Sequence, residues 1–462
     1  MQKQANIYQA LVPVFLMILF LGVNVIVFKG SPHIPLIFGT IIASLMGLYL
    51  GYSWKQIEAG IVHGITVALQ ACLILLVIGM LIGTWIISGI VPTMIWYGLK
   101  LISPSVFLVT SCLICSLVSL ATGSSWSTAG TVGIALIGIG QGLGVPLPMV
   151  AGAIISGSYF GDKMSPLSDT TNLAPAVAGS NMFDHIRHMI YTTGPNYVIT
   201  LILYTFLGFR YAKRGLNLDA INEILNVINN SFQITPLLLL PAVLVIMMVI
   251  FKLPALPSLL GGALLGVLAA VLVQHSPLSE VLDAAQNGYV SQTGLGSVDE
   301  LLSRGGMESM LSTVALILCA LAFGGAMERT GMLAVIAGSI LKMAKNTGQL
   351  VTSTVFTCIT MNIIAPDQYL SIVVPGRMYK DAFDKAGLEP KNLSRCLEDG
   401  GTLSSSLVPW NTGGAYMWVT LGVYPLAYLP FAFLNLLNPM ISVFYGFTGI
   451  TMTRQKDKQL LQ

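Results

Sequence analysis

The sequence predicts an all-α, polytopic membrane protein built as two related halves, and three observations carry that prediction. Of its 462 residues, 55% are hydrophobic and only 9% charged, with a mean hydropathy of +0.80. A soluble domain carries about 25% charged residues. Apolar runs long enough to cross a bilayer, which takes about 20 residues, recur along the chain. Local patterns in the first half also return in the second at a constant offset: Gly83 falls on Gly325, Gly89 on Gly331, Gly123 on Ala365 and Ser125 on Asp367.

The apolar runs lie near 8–28, 34–52, 66–90, 104–121, 128–160, 189–212, 234–251, 256–273, 310–327, 349–365, 406–422 and 424–447. Amphipathic pieces fall near 54–64, 92–102, 276–308 and 333–344. Together they suggest roughly ten to thirteen membrane-embedded segments. The first run has no small-residue cleavage site and is followed at once by another span, so it reads as a retained helix and not a signal peptide. The polar stretch Ser276–Glu308 reads as a partly helical surface loop.

The runs before each polar block also pair, 8–52 with 236–273. The expected organisation is a first transmembrane repeat over 1–214, a linker over 215–235, a second repeat over 236–450 and a cytoplasmic tail over 451–462. An odd number of crossings in each half would invert the two repeats relative to the membrane. Lys3 and the tail residues Arg454, Lys456 and Lys458 put both termini on the cytoplasmic side. Arg210, Lys213 and Arg214 put the mid-chain junction there too, against simple inversion unless 276–308 or a short span alters the count.

Composition also excludes functions. The net charge of +3 is small and dispersed, which gives no nucleic-acid surface. No Walker loop or zinc spacing occurs, so ATP-driven transport and hydrolase chemistry have no support. Cys112 and Cys115 form a C-x-x-C without a second cluster, and the six cysteines read as small buried apolar residues. A channel would need a continuous polar lining, whereas the polar residues here form discrete breaks.

Each half has two such breaks. The first half has Thr122–Thr128, then the dense block Gly161-Asp162-Lys163-Met164-Ser165-Pro166-Leu167-Ser168-Asp169-Thr170-Thr171-Asn172. The second half has Ala365-Pro366-Asp367-Gln368, then Glu398-Asp399-Gly400-Gly401-Thr402-Leu403-Ser404-Ser405-Ser406 running on to Pro409-Trp410-Asn411-Thr412. With a short deletion Asp162 meets Asp399, Ser165 meets Thr402 and Ser168 meets Ser405. An insertion then brings Asn172 to Asn411. Glycine, proline and serine here break helices, and the freed backbone is tolerated at membrane depth only against protein or a watery cavity. Matched polar breaks in two halves are the pattern of a secondary transporter with its site at the repeat interface.

Freed carbonyls, hydroxyls and carboxylates suit a small cation, while freed amides at half-helix N-termini suit a carboxylate. Asp162 and Asp399 read as titratable cation ligands, with helix capping as the plain alternative. Asp169, Asn172 and Asn411 are balanced between ion ligands and backbone caps. Ser124, Ser125 and Thr128 read as hairpin-tip residues, and Asp367 as the second half's carboxylate or a surface cap. Ser165, Ser168, Thr171, Thr402, Ser405 and Thr412 complete the candidate set. Lys163 reads as the partner of Asp162 or as a contact for a substrate carboxylate. His185 and His188 read as interfacial and able to sense pH. Arg377, Lys380, Lys385, Lys391 and Arg395 read as a basic loop, and Glu328 with Arg329 as a pair at a helix end.

The Gly161–Pro175 stretch resembles the central motif of the NhaC-type sodium/proton antiporters, within the ion transporter superfamily. Asp184-His185-Ile186-Arg187-His188-Met189, Asp367-Gln368-Tyr369-Leu370-Ser371, Pro375-Gly376-Arg377-Met378 and Pro409-Trp410-Asn411-Thr412 are similar to it too. The resemblance implies inverted repeats, each with a re-entrant hairpin and an unwound transmembrane helix, in an elevator-type transporter. It implies Na+/H+ exchange across a bacterial inner membrane, with exchange of malate and protons for lactate and sodium as the alternative. It assigns Na+ to Asp162, Asp169, Asn172, Asp399 and Asn411. It further implies Na+ and H+ as transported ions with no cofactor, a small carboxylate as the alternative cargo, and a homodimer formed through scaffold helices.

Overall fold

A computed structural model describes residues 3–28, 30–212, 218–251 and 253–455. The charges expected at Lys213, Arg214, Lys456 and Lys458 lie outside the described residues. The described chain is helical, with one isolated antiparallel bridge between Leu388 and Arg454.

Among the described residues, four helices are long and apolar enough to cross a membrane by themselves: Leu69–Ile87, Pro104–Thr122, Ala255–Leu272 and Glu308–Arg329. The other apolar runs are shorter, bent or loaded with polar residues. The expected single run over 128–160 is divided: Ile134–Gly142 ends before Gly144, in left-handed backbone at φ 70°, and Pro146 precedes Leu147–Met164. A proline there has no amide to continue the ladder. The run over 406–422 becomes helical only from Thr412, in Thr412–Leu421. The 276–308 stretch forms two short helices, Leu278–Asn287 and Gly296–Leu302, and its end is wedged inward, the Gly306 amide donating to the Gly79 carbonyl at 2.7 Å.

Helix boundaries recur along the chain. Leu69–Ile87 and Leu311–Arg329 are each followed by a glycine in left-handed backbone, Gly89 at φ 76° and Gly331 at φ 73°. Ile90–Leu101 and Met332–Leu341 begin directly after those glycines. Next come Pro104–Thr122 and Thr347–Ile364, each ending at one of the short polar breaks. Asn196 and Asn438, 242 positions apart, face one another, and the Asn196 amide donates to the Asn438 side-chain oxygen at 3.0 Å.

Two close approaches place the polar breaks. Pro104–Thr122 and Leu147–Met164 pack backbone to backbone at small residues: a Cβ on Gly157 would lie 2.2 Å from the Cys112 carbonyl oxygen. That crossing sets the end of Leu147–Met164, with its polar block, beside the Thr122–Thr128 break. Gly123, at φ 69°, ends the first of these helices, and a Cβ there would lie 2.6 Å from the Leu167 backbone. Both the conformation and the contact call for glycine.

A buried ion pair ties the halves together. Lys163, in the last turn of Leu147–Met164, reaches Asp399, and both side chains are fully buried. Asp399 also accepts from the Asn438 amide and, at 3.4 Å, from the Thr192 hydroxyl. It sits in a five-residue π-helical turn, Glu398–Thr402, a wide-turn geometry frequent at functional sites. The pairing corrects the expected neutralisation of Asp162 by Lys163: adjacent helical residues do not face each other.

Two outcomes test this packing by melting of the detergent-solubilised protein. Gly157→Ala should destabilise by about 1–3 kcal/mol by overpacking, whereas Gly22→Ala, with nothing within 4 Å of its Cβ, should leave stability unchanged. Lys163→Met should cost about 3–5 kcal/mol by leaving Asp399 buried and unpaired, and adding Asp399→Leu should recover most of it.

Candidate functional site

All four polar breaks reach a cavity of about 410 Å³, the last of them through Thr412 alone. The Thr122–Thr128 break contributes Ser124, the first dense block Asp162, Ser168 and Asp169, and the second half Asp367 and Thr412. Val67, Ala68, Ala71, Ile74, Leu253, Pro254 and Ala255 add an apolar part to the lining, with Gln70 among them.

Asp162 is positioned at both ends. Its Oδ2 accepts from the Ser125 amide at 3.1 Å and the Ser125 hydroxyl at 2.6 Å, so Ser125 clamps one oxygen. The Thr171 hydroxyl donates to the carbonyls of Asp162 at 3.2 Å and Lys163 at 3.0 Å, closing the helix end that the break opened. Asp169 begins the helix Asp169–Ala178, where the helix dipole favours a negative charge, and is exposed. The Tyr369 hydroxyl reaches its Oδ2 at 3.5 Å. Asp367 accepts from the amides of Tyr369 at 2.9 Å and Leu370 at 3.0 Å, so it caps Leu370–Lys385 while lining the cavity.

Several expected ligands act as braces. The Asn172 amide donates to the carbonyls of Pro166 at 2.9 Å and Ser168 at 2.7 Å, holding the unwound Ser165–Ser168 segment. The Ser165 hydroxyl accepts from the Leu167 amide at 3.3 Å. Ser168 caps the next helix, accepting from the Thr171 amide at 3.4 Å. Asn411 donates to the carbonyl and side-chain oxygens of Asn362 at 3.1 and 2.9 Å, and accepts from the Gly413 amide at 3.0 Å. Asn362 donates in turn to the Gly401 carbonyl at 2.7 Å and the Ser404 hydroxyl at 2.8 Å. Ser405 donates to Gln368 Oε1 at 2.9 Å, and the Thr412 amide to the Pro366 carbonyl at 3.1 Å. These bonds pair the backbone and side chains that a broken helix leaves open.

Asp399 and Thr402 do not line the cavity. They lie in a separate buried cluster with Lys163 and Glu398. His185 and His188 are buried rather than interfacial, and the His185 ring shares a hydrogen bond with the Ser394 hydroxyl at 2.8 Å. Arg395 is fully buried rather than on a basic loop, its guanidinium donating to the Thr451 hydroxyl at 2.8 Å. Glu328 and Arg329 are exposed and form no ion pair with each other among the described residues.

Sequence reasoning missed Gln70, Thr170 and Tyr369 in the lining. Gln70 had a readable signal, a polar side chain within the apolar run over 66–90. Thr170 and Tyr369 sat inside the quoted motifs, and only the fold shows which members of a motif face inward.

The electrostatic character is one-sided. Among the described residues the lining holds three carboxylates, Asp162, Asp169 and Asp367, and no Lys, Arg or His. Hydroxyls from Ser124, Ser127 and Thr412 add hard oxygen donors. Such a set can hold a small monovalent cation or protons.

Comparison with known proteins agrees with that chemistry. The model of the Na+/H+ antiporter family matches residues 157–450, from before the dense block to the last helix. A malate-2H+/Na+-lactate antiporter of Bacillus subtilis is 44% identical over 408 residues, 88% of this chain and 87% of the relative. The Na+/H+ antiporter NhaC of Alkalihalophilus pseudofirmus is 38% identical over 458 residues, 99% of both chains. That of Bacillus subtilis is 41% identical over 418 residues, 90% of this chain and 92% of the relative. With this coverage and identity, the chain belongs to the Na+/H+ antiporter family.

Proposed function

We propose that this protein is a multi-pass secondary transporter of a bacterial inner membrane that exchanges Na+ for H+, with the cavity as its cation site. The observation that carries the reading is a lining with three carboxylates and no basic residue. Asp162 is the central ligand: Ser125 holds one oxygen, and the residue faces the cavity. Asp367, Asp169 and the hydroxyls of Ser124 and Thr412 surround the same space. Na+ and H+ compete for Asp162, so each must leave before the other binds, and that exclusion couples the two fluxes.

The recurring helix boundaries and the Asn196–Asn438 contact support a duplicated architecture. We read the halves as inverted repeats over 1–214 and 236–450, whose polar breaks form a carrier unit that moves as a body past the outer helices. A homodimer through those outer helices fits this motion.

A second reading, exchange of malate and protons for lactate and sodium, is favoured by the 44% identical relative of that name. It would place a carboxylate near the N-termini of Asp169–Ala178 and Thr412–Leu421, whose first residues Asp169, Thr170 and Thr412 line the cavity.

Proteoliposomes carrying an internal pH dye separate the two. An external Na+ pulse with no organic acid should alkalinise the lumen, and Asp162→Asn should abolish the signal while the protein still melts cooperatively. A response that appears only after malate or lactate is supplied would assign the second reading.

A further inference from the structure

The two halves differ at one join. In the first, Trp54–Val67 runs through Ala68 directly into Leu69–Ile87, and Val67, Ala68 and Gln70 line the cavity. In the second, Leu278–Asn287 stops at Gly288, at a positive φ of 94°, and the long apolar helix starts only at Glu308. Reciprocal contacts align the two joins. A Cβ on Gly325 would lie 2.3 Å from the Gly60 carbonyl oxygen, and one on Gly83 would lie 2.0 Å from that of Ala284. Gly60 precedes Gly83 by 23 positions and Ala284 precedes Gly325 by 41, so the second half carries 18 more residues here. They occupy the join whose first-half counterpart borders the cavity.

The added segment is folded and anchored. Asp299 ties it together, accepting from the Ser291 hydroxyl at 2.8 Å and the Thr293 amide at 2.6 Å. Its end inserts against Leu69–Ile87: the Gly306 amide donates to the Gly79 carbonyl at 2.7 Å, and a Cβ on Gly305 would lie 2.4 Å from the Gly83 nitrogen. On its other side it meets two helical runs that leave the cavity, Ser125 to Gly142 and Thr412 to Leu421. Leu301 packs over Gly138, its Cδ1 3.2 Å from where a Cβ there would stand. The Arg304 guanidinium donates to the Gln141 side-chain oxygen at 3.4 Å, in the last turn of the first run. It also lies 3.2 Å from where a Cβ on Gly422 would stand, at the end of the second. Helix C-termini favour a cation, and Arg304 has no ion pair among the described residues. Thr412 lines the cavity and Gly422 follows ten residues on, so Arg304 stands about 15 Å along the helix from it at 1.5 Å per residue.

We propose that residues 288–306 are a plug at the far end of the site's helices, latched by Arg304, and that exchange requires the latch to part from Gln141 and Gly422. The inference rests on the reading of the cavity as the Na+/H+ exchange site. If the polar breaks move as one body, the ends of the two helical runs move with them, while the plug stays bonded to Gly79. The boundary between them is crossed by one long hydrogen bond and by the packing of Leu301 and Arg304, contacts that a rigid-body motion can break and remake. The added residues make the two joins unequal. The first borders the cavity and the second is filled, so the latched plug favours this conformation and its release admits the other.

The test is a reversible tether. In the double variant Gln141→Cys with Arg304→Cys, a bifunctional methanethiosulfonate spanning the side chains it replaces joins the plug to the helix end, and a reductant releases it. In proteoliposomes with an internal pH dye, the double variant should answer a Na+ pulse, lose the response when tethered and regain it on reduction. The treated wild type, whose cysteines are buried or half-buried, sets the baseline. Binding of ²²Na+ by the tethered protein in detergent should stay intact. Gln141→Cys alone, which keeps Arg304, gives a second readout: an impermeant thiol reagent should label it severalfold faster while Na+ and a pH gradient drive exchange than without Na+. Exchange by the tethered protein at the untethered rate, or an unchanged labelling rate, overturns the inference and leaves the cavity reading standing. Loss of ²²Na+ binding on tethering overturns it too, because the segment would then act on the site and not as a latch. A wild type that moves no protons in response to Na+ removes the cavity reading, and this inference with it.

Discussion

The fully buried ion pair between Lys163 and Asp399 determines what the cavity can bind. Asp162 and Lys163 are neighbours in sequence, and a chain that let them neutralise each other would take the best-positioned of the three carboxylates out of the cavity. The helical rotation between consecutive residues turns them apart. Lys163 is directed into the second half and held by Asp399. Asp162 is left facing the cavity, with the Ser125 amide and hydroxyl as its neutral partners. The halves are thereby joined and a carboxylate is left open to a cation or a proton. In a low-dielectric surrounding, a lone buried charge is far more costly than a paired one. The protein satisfies one acidic residue permanently and leaves the other for its substrates.

The same economy explains the braces. Unwound segments free backbone carbonyls and amides that lipid cannot satisfy. Asn172 closes the turn at Ser165–Ser168, and Asn411 with Asn362 closes the segment around Gly401–Asn411. These amides are rigidifying parts of the site's frame. They fix the breaks so that Asp162, Asp367 and the hydroxyls keep their relative positions, and such preorganisation limits what must reorder when an ion arrives.

The sequence was informative where the physics is local. The polar breaks, their match across the halves and the block around Asp162 were all visible, because helix breakers and carboxylates stand out in an apolar chain. Of Ser125 and Asp367, aligned by the repeat offset, the first clamps Asp162 and the second lines the cavity. Facing direction was not legible. Asp162 and Asp399 align with one another, yet one meets the cavity and the other a lysine, because the partner of each is set by helices distant in sequence. Arg395, His185 and His188 read as surface groups because their burial is supplied by elements such as Thr451 and Ser394 that only the fold brings near. The division of the 128–160 run was signalled by Gly144 and Pro146, whose breaking power outweighs the surrounding hydrophobicity.

The central claim, that Na+ and H+ compete for one carboxylate-lined cavity, is tested most directly by equilibrium ²²Na+ binding to the purified protein across a pH series. The account predicts that affinity weakens steadily as pH falls and does not respond to malate or lactate. Binding indifferent to pH, or dependent on an added organic acid, would contradict it.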